Sequence, residues 1–194
     1  MPVQIRNPDL VGTLRADFPL GWVPIYQEEL AAPGTFTINP PIPNTYRNLA
    51  LFCQLRSDAQ AELDYVALTF NNDGGANYVW ACKYAQASNA FAATGSVAPP
   101  TYIRIATIEA ISSRANNYTP FTIWIPGYKF DDREKWAYCS NSGAFGNQSA
   151  LADLYIVDCR GTWRSQNAIT RIDLDPLNGT NFAANSRVEL YGIL

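Results

Sequence analysis

Apolar and polar residues alternate along this chain in short runs, and this period of two constrains the fold more than any other feature. Residues 49–55 and residues 78–84 show the alternation most clearly. Successive side chains of a strand point to opposite faces, so such runs are typical of half-buried β-strands. The nearest approach to a helical spacing covers residues 107–115, which is too short to form a stable helix alone.

Further strand candidates share a short length, many β-branched or aromatic residues and flanking turn residues. They are residues 102–111, 119–125, 135–139, 154–159, 168–174 and 187–193. The Asn, Asp and Gly residues at 71–75 tolerate positive φ, so they predict a hairpin over residues 62–85. We therefore expect an all-β chain, an antiparallel β-sandwich of jelly-roll type with about eight or nine strands, with an open barrel as the alternative.

Proline is concentrated near the N-terminus, where most of the 13 prolines lie within the first 43 residues. Because proline fixes φ and lacks an amide donor, this stretch resists helix interiors and central strands. We expect residues 1–34 to form an extended arm and residues 35–194 to form the sandwich domain. The large apolar side chains of the arm need a surface to cover, either the chain's own sandwich or a neighbouring subunit. The predicted partner-binding anchors of the arm are Leu10, Phe18, Trp22 and Tyr26.

The composition excludes several classes of function. The chain has no His, which excludes Ser-His-Asp and Cys-His catalysis and His-ligated metal sites. It carries 14 Lys and Arg against 17 Asp and Glu, so it offers no excess of positive charge for nucleic acid. No apolar run approaches the roughly 20 residues of a membrane helix. The first ten residues do not resemble a signal peptide, so we expect synthesis in the cytoplasm.

The four cysteines, Cys53, Cys82, Cys139 and Cys159, form no CxxC pair, which disfavours a zinc ribbon or a thioredoxin-type site. Most of them lie in predicted strands between apolar neighbours, and we expect buried free thiols. One or two disulfides remain an alternative, because four cysteines allow three pairings that the sequence does not distinguish.

Two acidic segments are candidates for a site of chemistry. Residues 173–179 resemble a calcium loop only faintly, since Pro176 stiffens the middle and Ala184 stands where a bidentate Glu is needed. Residues 131–135 contain neighbouring carboxylates, which cannot lie across a sugar ring from one another. We interpret both as surface turns. We expect no catalytic residue, no metal and no cofactor, and hence no enzyme.

The aromatic residues are numerous, with 5 Trp, 11 Tyr and 9 Phe. Exposed Tyr and Trp beside Asn and Gly are typical of surfaces that bind sugars or proteins. The alternative is that these rings only fill the core and the cross-strand pairs of a sandwich. As a second choice of partner-binding site we predict Tyr128, Phe130 and Trp136, which lie near a predicted loop.

Four motifs, spanning about residues 42–193 in the same order, carry a family resemblance. They are IPNTYRNL at 42–49, LTFNNDGGANY at 68–78, IWIPGY at 123–128 and WRSQNAITRI…NFAANSRVELYGI at 163–193. Together they resemble a β-sandwich module of tailed-bacteriophage virion structural proteins, found in capsid decoration (cement) proteins and in tail-fibre tips. Asn72 and Asn185 stand where the pattern has glycine, and asparagine tolerates the left-handed conformation better than most residues.

The resemblance implies a virion building block without catalytic residues. A short chain with an apolar arm and no fibre shaft favours a cement protein on the capsid surface. Its expected partners are the major capsid protein and other copies of itself in a homotrimer, and neither nucleic acid nor membrane. The alternative is a tail protein that binds a host receptor or a glycan.

Overall fold

The computed structural model describes residues 21–86, 91–145 and 154–194. These residues form twelve β-strands and no helix, so the expected all-β fold is confirmed with more strands than the eight or nine predicted. The strands are β1 (Trp22–Glu29), β2 (Phe36–Ile38), β3 (Asn48–Leu55), β4 (Leu63–Phe70), β5 (Tyr78–Gln86), β6 (Phe91–Gly95), β7 (Ile103–Glu109), β8 (Thr119–Pro126), β9 (Lys135–Phe145), β10 (Leu154–Trp163), β11 (Ile172–Pro176) and β12 (Arg187–Ile193).

Two antiparallel sheets form the sandwich. The large sheet has the order β1-β12-β3-β8-β9-β10-β5-β6, and the small sheet has the order β2-β11-β4-β7. Eight of these strands, β1, β2, β3, β4, β7, β8, β11 and β12, can be lettered B to I in chain order. With these letters, the order β1-β12-β3-β8 in the large sheet reads B-I-D-G, and the order β2-β11-β4-β7 of the small sheet reads C-H-E-F. That order is the jelly-roll arrangement, in agreement with the predicted fold type.

The other four strands are two insertions into the jelly roll. The β5–β6 pair follows strand E, and the β9–β10 pair follows strand G. All four strands join the large sheet beyond β8, so that this sheet is twice as wide as the small one. The insertions therefore give the molecule one broad sheet face that points away from the core.

The core lies between the two sheets and follows directly from the alternation in the sequence. Leu190, Leu51, Ile123 and Cys139 lie opposite one another on four neighbouring strands, and all four side chains are buried. Strand β7 of the small sheet packs over β9, β10 and β5. Burial of apolar surface on this scale supplies the main driving force for folding, at roughly 25 cal/mol per Å².

The predicted boundary between arm and sandwich is corrected by strand β1. Trp22–Glu29 pairs with β12 along its whole length and forms strand B of the jelly roll, so the sandwich begins at Trp22 rather than at residue 35. Pro24 is tolerated because β1 is the edge of the sheet, where an amide donor is not needed on the open side. Residues 1–20 of the predicted arm lie outside the described residues.

The predicted hairpin over residues 62–85 is also corrected, because β4 and β5 belong to different sheets. The connection between them crosses from the small sheet to the large one. The Tyr78 hydroxyl accepts a hydrogen bond from the amide of Phe70 (3.1 Å) and lies 3.1 Å from the carbonyl oxygen of Asp73. Burial raises the pKa of Tyr78 to about 12. Asn72 and Asn185 adopt φ values of 56° and 67°, which confirms the left-handed conformation expected of both.

The cysteine prediction holds for two of the four residues. Cys53 and Cys139 are buried free thiols, and burial raises the pKa of both. Cys82 and Cys159 instead form a disulfide between directly opposed positions of β5 and β10. The register of two strands 77 residues apart decides this pairing, and no local pattern in the sequence reports that register.

Candidate interaction surface

The outward side of the large sheet carries a cluster of aromatic rings from four neighbouring strands. The ring of Trp22 on β1 lies 5.7 Å from that of Phe52 on β3 and 5.4 Å from that of Trp124 on β8. Tyr191 on β12 meets Phe52 edge to face at 5.5 Å. Edge-to-face pairs of this kind stabilise each other beyond simple area burial, so the cluster is held in a fixed arrangement.

The aromatic surface continues onto the inserted strands. Trp136 and Tyr138 on β9 stack with ring centroids 6.1 Å apart and an interplanar angle of 10°. Tyr138 lies directly opposite Trp124 in the register, and the guanidinium of Arg160 on β10 lies 5.7 Å from the Tyr138 ring. We call the outward-facing set Trp22, Phe52, Trp124, Trp136, Tyr138 and Tyr191 the aromatic face.

Three residues of the aromatic face are substantially exposed. The exposed fraction is 39% for Phe52, 40% for Trp124 and 46% for Trp136. Alternation explains their position, since their neighbours Leu51, Ile123 and Ala137 point into the core and are completely buried. A contiguous exposed apolar patch on a folded protein usually marks a site of interaction.

A depression of about 360 Å³ borders the aromatic face. Its lining adds polar side chains to the ring of Phe52: Gln54, Thr122, Ser140, Arg187 and Glu189. The Arg187 guanidinium lies 2.5 Å from a Glu189 carboxylate oxygen, and the Tyr191 hydroxyl donates to Glu189 at 2.6 Å. The pKa of Tyr191 is raised, mainly because the side chain is buried and secondarily because it is bonded to the carboxylate of Glu189. The apolar surface therefore has a polar border in which charges are paired, as in many protein interfaces.

The outward side of the small sheet has a different character. There Asp173 accepts hydrogen bonds from the hydroxyl of Thr37 (2.9 Å) and from the guanidinium of Arg171 (2.6 Å). These polar groups satisfy one another, and among the described residues no exposed large apolar side chain lies on a strand of the small sheet. Of the two sheet faces, the large one is therefore the candidate for binding.

The structure separates the predicted anchors of the arm. Leu10 and Phe18 lie outside the described residues, so their role stays a prediction. Trp22 belongs to the aromatic face of its own chain. Tyr26 is half-buried, packs against the core of its own chain and donates a hydrogen bond to Glu28.

The three residues of the predicted second site also lie in different environments. Trp136 is on the aromatic face, and Phe130 is exposed in the loop between β8 and β9, where the Arg133 guanidinium lies 4.6 Å from its ring. Tyr128 is a correction, because only 1% of it is exposed and its hydroxyl donates to the carbonyl oxygen of Pro43. The left-handed turn at Gly127, with φ of 61°, follows β8 and immediately precedes this buried side chain.

Phe52 and Tyr191 belong to the aromatic face although neither was predicted as a site residue. A signal was present, since Phe52 occupies the outward phase of an alternating strand, where a polar residue is expected. Tyr191 likewise alternates with the buried Leu190 and Gly192 of β12. A single outward aromatic residue in one strand does not indicate a binding surface. Only the register of the strands shows that several of them contribute to one patch.

The buried ionisable side chains hold loops rather than line a cleft. Arg56 donates to the carbonyl oxygens of Ile111, Ser113 and Asn117, each at 3.2 Å, and thereby fixes the segment after β7. The ammonium of Lys135 donates to the carbonyl oxygens of Arg133 (2.6 Å) and Gln166 (3.0 Å). Within residues 21–86, 91–145 and 154–194, no three His, Cys, Asp or Glu side chains lie close enough to hold a metal ion.

In a comparison with known proteins, the chain matches no family model, no curated protein and no solved structure. The part of the chain that the structure describes contains no helix long and apolar enough to cross a membrane.

Proposed function

We propose that this chain is a non-enzymatic structural protein of a tailed-bacteriophage virion, and more specifically a capsid decoration (cement) protein that binds the outside of the head lattice and stabilises it. The observation that carries this proposal is the aromatic face, a fixed apolar surface on the broad sheet with a polar border. Such a surface suits a stable contact with another protein.

Two further features support the proposal. Jelly rolls are a common architecture of viral capsid domains, although a fold alone does not assign a function. The Cys82–Cys159 disulfide suits a protein that works outside the reducing cytoplasm, and virion surfaces are one such environment. In this proposal the protein is made in the host cytoplasm and acquires the disulfide on the particle surface.

The proposed partners are the major capsid protein and other copies of this chain, with a homotrimer as the assembly. About 100 Å² of Trp124 is exposed, from its 40% exposure and the area of a tryptophan side chain. Covering that area stabilises a contact by about 2.5 kcal/mol. Many copies of such a contact over a head could together offset the outward pressure of packaged DNA.

A tail protein that binds a host receptor or a glycan is the second candidate. The observation that favours it is the combination of exposed Trp124 and Trp136 rings with the polar depression beside Phe52. Sugar rings stack on aromatic side chains while hydroxyl groups bond to amide and carboxylate groups, and both kinds of group are present here.

Mass spectrometry of separated heads and tails distinguishes the two candidates. Purified particles of the phage that encodes this chain are split into heads and tails, and the copy number per particle is measured in each fraction. Hundreds of copies on heads are the expected result. A few copies confined to tails would contradict the cement proposal and favour receptor binding.

A further inference from the structure

Three of the four cysteines lie in one row across the large sheet. Cys139 on β9 is directly opposite Cys159 on β10, and Cys159 is directly opposite Cys82 on β5. Directly opposed residues of neighbouring strands place their side chains on the same face, so all three point into the core, where each is at most 3% exposed. The row therefore puts the free thiol of Cys139 beside the disulfide between Cys82 and Cys159.

The spacing of this row allows Cys159 to bond to either of its neighbours. The Cα atoms of directly opposed residues in an antiparallel pair are roughly 4.5 or 5.5 Å apart. Disulfides bridge Cα atoms that are about 4.4 to 6.8 Å apart, so both pairs are within reach. Cys82 and Cys139 are two strand spacings apart, roughly 10 Å, which is too far for a direct bond.

The order of the strands also suits transfer of the bond from one pair to the other. A thiolate attacks a disulfide sulfur from the side opposite to the bond that breaks. Strands β9 and β5 flank β10, so Cys139 lies on the opposite side of Cys159 from Cys82. The Cys139 sulfur loses its proton and bonds to the Cys159 sulfur, while the bond between Cys159 and Cys82 breaks. The Cys82 sulfur leaves as a thiolate and takes up a proton, so the exchange needs neither an oxidant nor a reductant.

The fourth cysteine, Cys53, lies outside the row. It is opposite Phe121 on β8, whereas Cys139 is opposite Ile123, two residues further along the same strand. Two strand spacings and two residues place Cys53 roughly 12 Å from Cys139. One free thiol is therefore positioned for exchange, and the other is a natural control.

The two possible disulfides connect different parts of the fold. The bond between Cys82 and Cys159 joins the β5–β6 insertion to the β9–β10 insertion, whereas a bond between Cys139 and Cys159 stays within the β9–β10 insertion. After exchange, only non-covalent contacts would hold β5 and β6 at the edge of the large sheet. Burial, and secondarily the carboxylate of Asp158, raises the pKa of Cys139, so exchange is slow while the fold is closed.

We propose that Cys139, Cys159 and Cys82 form a thiol–disulfide exchange site, in which the bond moves from between the two insertions to within the β9–β10 insertion. Exchange at this site controls how firmly the β5–β6 edge is attached to the large sheet. The argument rests on the strand register alone and is independent of the proposed virion function.

Peptide mapping of two single variants tests the geometry of the row. Each variant is folded with oxidised glutathione as the two-electron oxidant, and its disulfides are identified by mass spectrometry. We expect Cys82→Ala to form the bond between Cys139 and Cys159, and Cys159→Ala to form no bond between Cys82 and Cys139. A bond between Cys82 and Cys139, or a folded Cys82→Ala variant without an internal disulfide, would overturn the proposal.

Thiol labelling tests exchange in the protein that keeps all four cysteines. The folded protein is incubated at about pH 8.5 without added thiol, quenched with acid and unfolded in the presence of N-ethylmaleimide, and the labelled cysteines are mapped. We expect at least roughly ten-fold more label on Cys82 than in Cys139→Ala, since Cys139 is the thiol positioned to release Cys82. Cys53→Ala should keep this labelling. Labelling of Cys82 that does not exceed the level in Cys139→Ala would overturn the proposal.

Limited trypsin digestion tests the effect of the bond on the sheet edge. Lys83 lies on β5, and a strand must open before a protease can cut it. We expect cleavage after Lys83 to be at least roughly ten-fold faster in Cys82→Ala than in Cys53→Ala, which loses a buried sulfur but keeps the disulfide. Cleavage after Arg160, on β10, should stay slow in both variants. Equal cleavage rates after Lys83 would show that the position of the bond does not control the edge.

Discussion

Removal of the Cys82–Cys159 disulfide is a sharp test of the sheet register. The perturbation is the double substitution Cys82→Ala and Cys159→Ala, which keeps both positions small and apolar in the core between the sheets. Cys53→Ala is the matched control, since Cys53 is equally buried but makes no bond.

The magnitude follows from the loop that the bond closes. The two cysteines are 77 residues apart, and closing a loop of this length in the unfolded chain stabilises the folded state by about 4.5 kcal/mol in the chain-entropy model. Cys53→Ala removes one buried sulfur and should cost about 1 kcal/mol through the small cavity it leaves. The difference between the two variants is large compared with the error of an unfolding experiment.

Equilibrium urea unfolding without reductant measures both variants. With a slope of about 2 kcal/mol per M, the double variant should unfold at a urea concentration about 2 M lower than the unmodified protein. Its slope should also rise, because the unfolded chain without the crosslink exposes more surface. Equal midpoints for the double variant and Cys53→Ala, or peptide mapping that finds Cys82 and Cys159 as free thiols, would refute the assigned register.

Two further predictions concern a carboxylate and a turn. Asp73 accepts a hydrogen bond from the indole of Trp163 (2.7 Å), and this bond lowers the pKa of Asp73. The contact therefore stabilises the fold fully above about pH 4, the pKa of an unperturbed Asp. The stabilisation is lost as the pH falls through the lowered pKa. Asp73→Asn should therefore flatten the decline in unfolding free energy between pH 5 and pH 2, and an unchanged decline would contradict this. Asn185, at φ of 67°, should tolerate Gly within a few tenths of a kcal/mol but lose about 1 kcal/mol as Ala, measured by urea unfolding. Equal stability of the two variants would exclude a conformational role.

The strands that the sequence predicted share a local cause. Alternation over residues 49–55 corresponds to β3 because one face of that strand is buried along its whole length. The strands that it missed are β1 and β6, the two edges of the large sheet, and the short β2, an edge of the small sheet. Edge strands tolerate proline, as in β1, and alanine, as in β6, so their sequences lack the usual strand pattern.

The assignment of strands to sheets could not be predicted because it depends on contacts between distant residues. A turn sequence at residues 71–75 predicts that the chain reverses, and the chain does so, but it crosses between sheets instead of forming a hairpin. The same limit explains the candidate site. Trp136 could be named from its type and position, whereas its proximity to Trp124 and Trp22 depends on the register of β8, β9 and β12.

We propose that the aromatic face is the contact surface of the protein. Under the proposed cement function, binding of the purified protein to phage heads that lack it tests this directly, with Trp124→Ala compared with Ile111→Ala, an exposed apolar residue outside the face. We expect Trp124→Ala to raise the dissociation constant roughly 30-fold, equivalent to about 2 kcal/mol, and Ile111→Ala to change it less than about two-fold. Equal affinities of the two variants would contradict the claim.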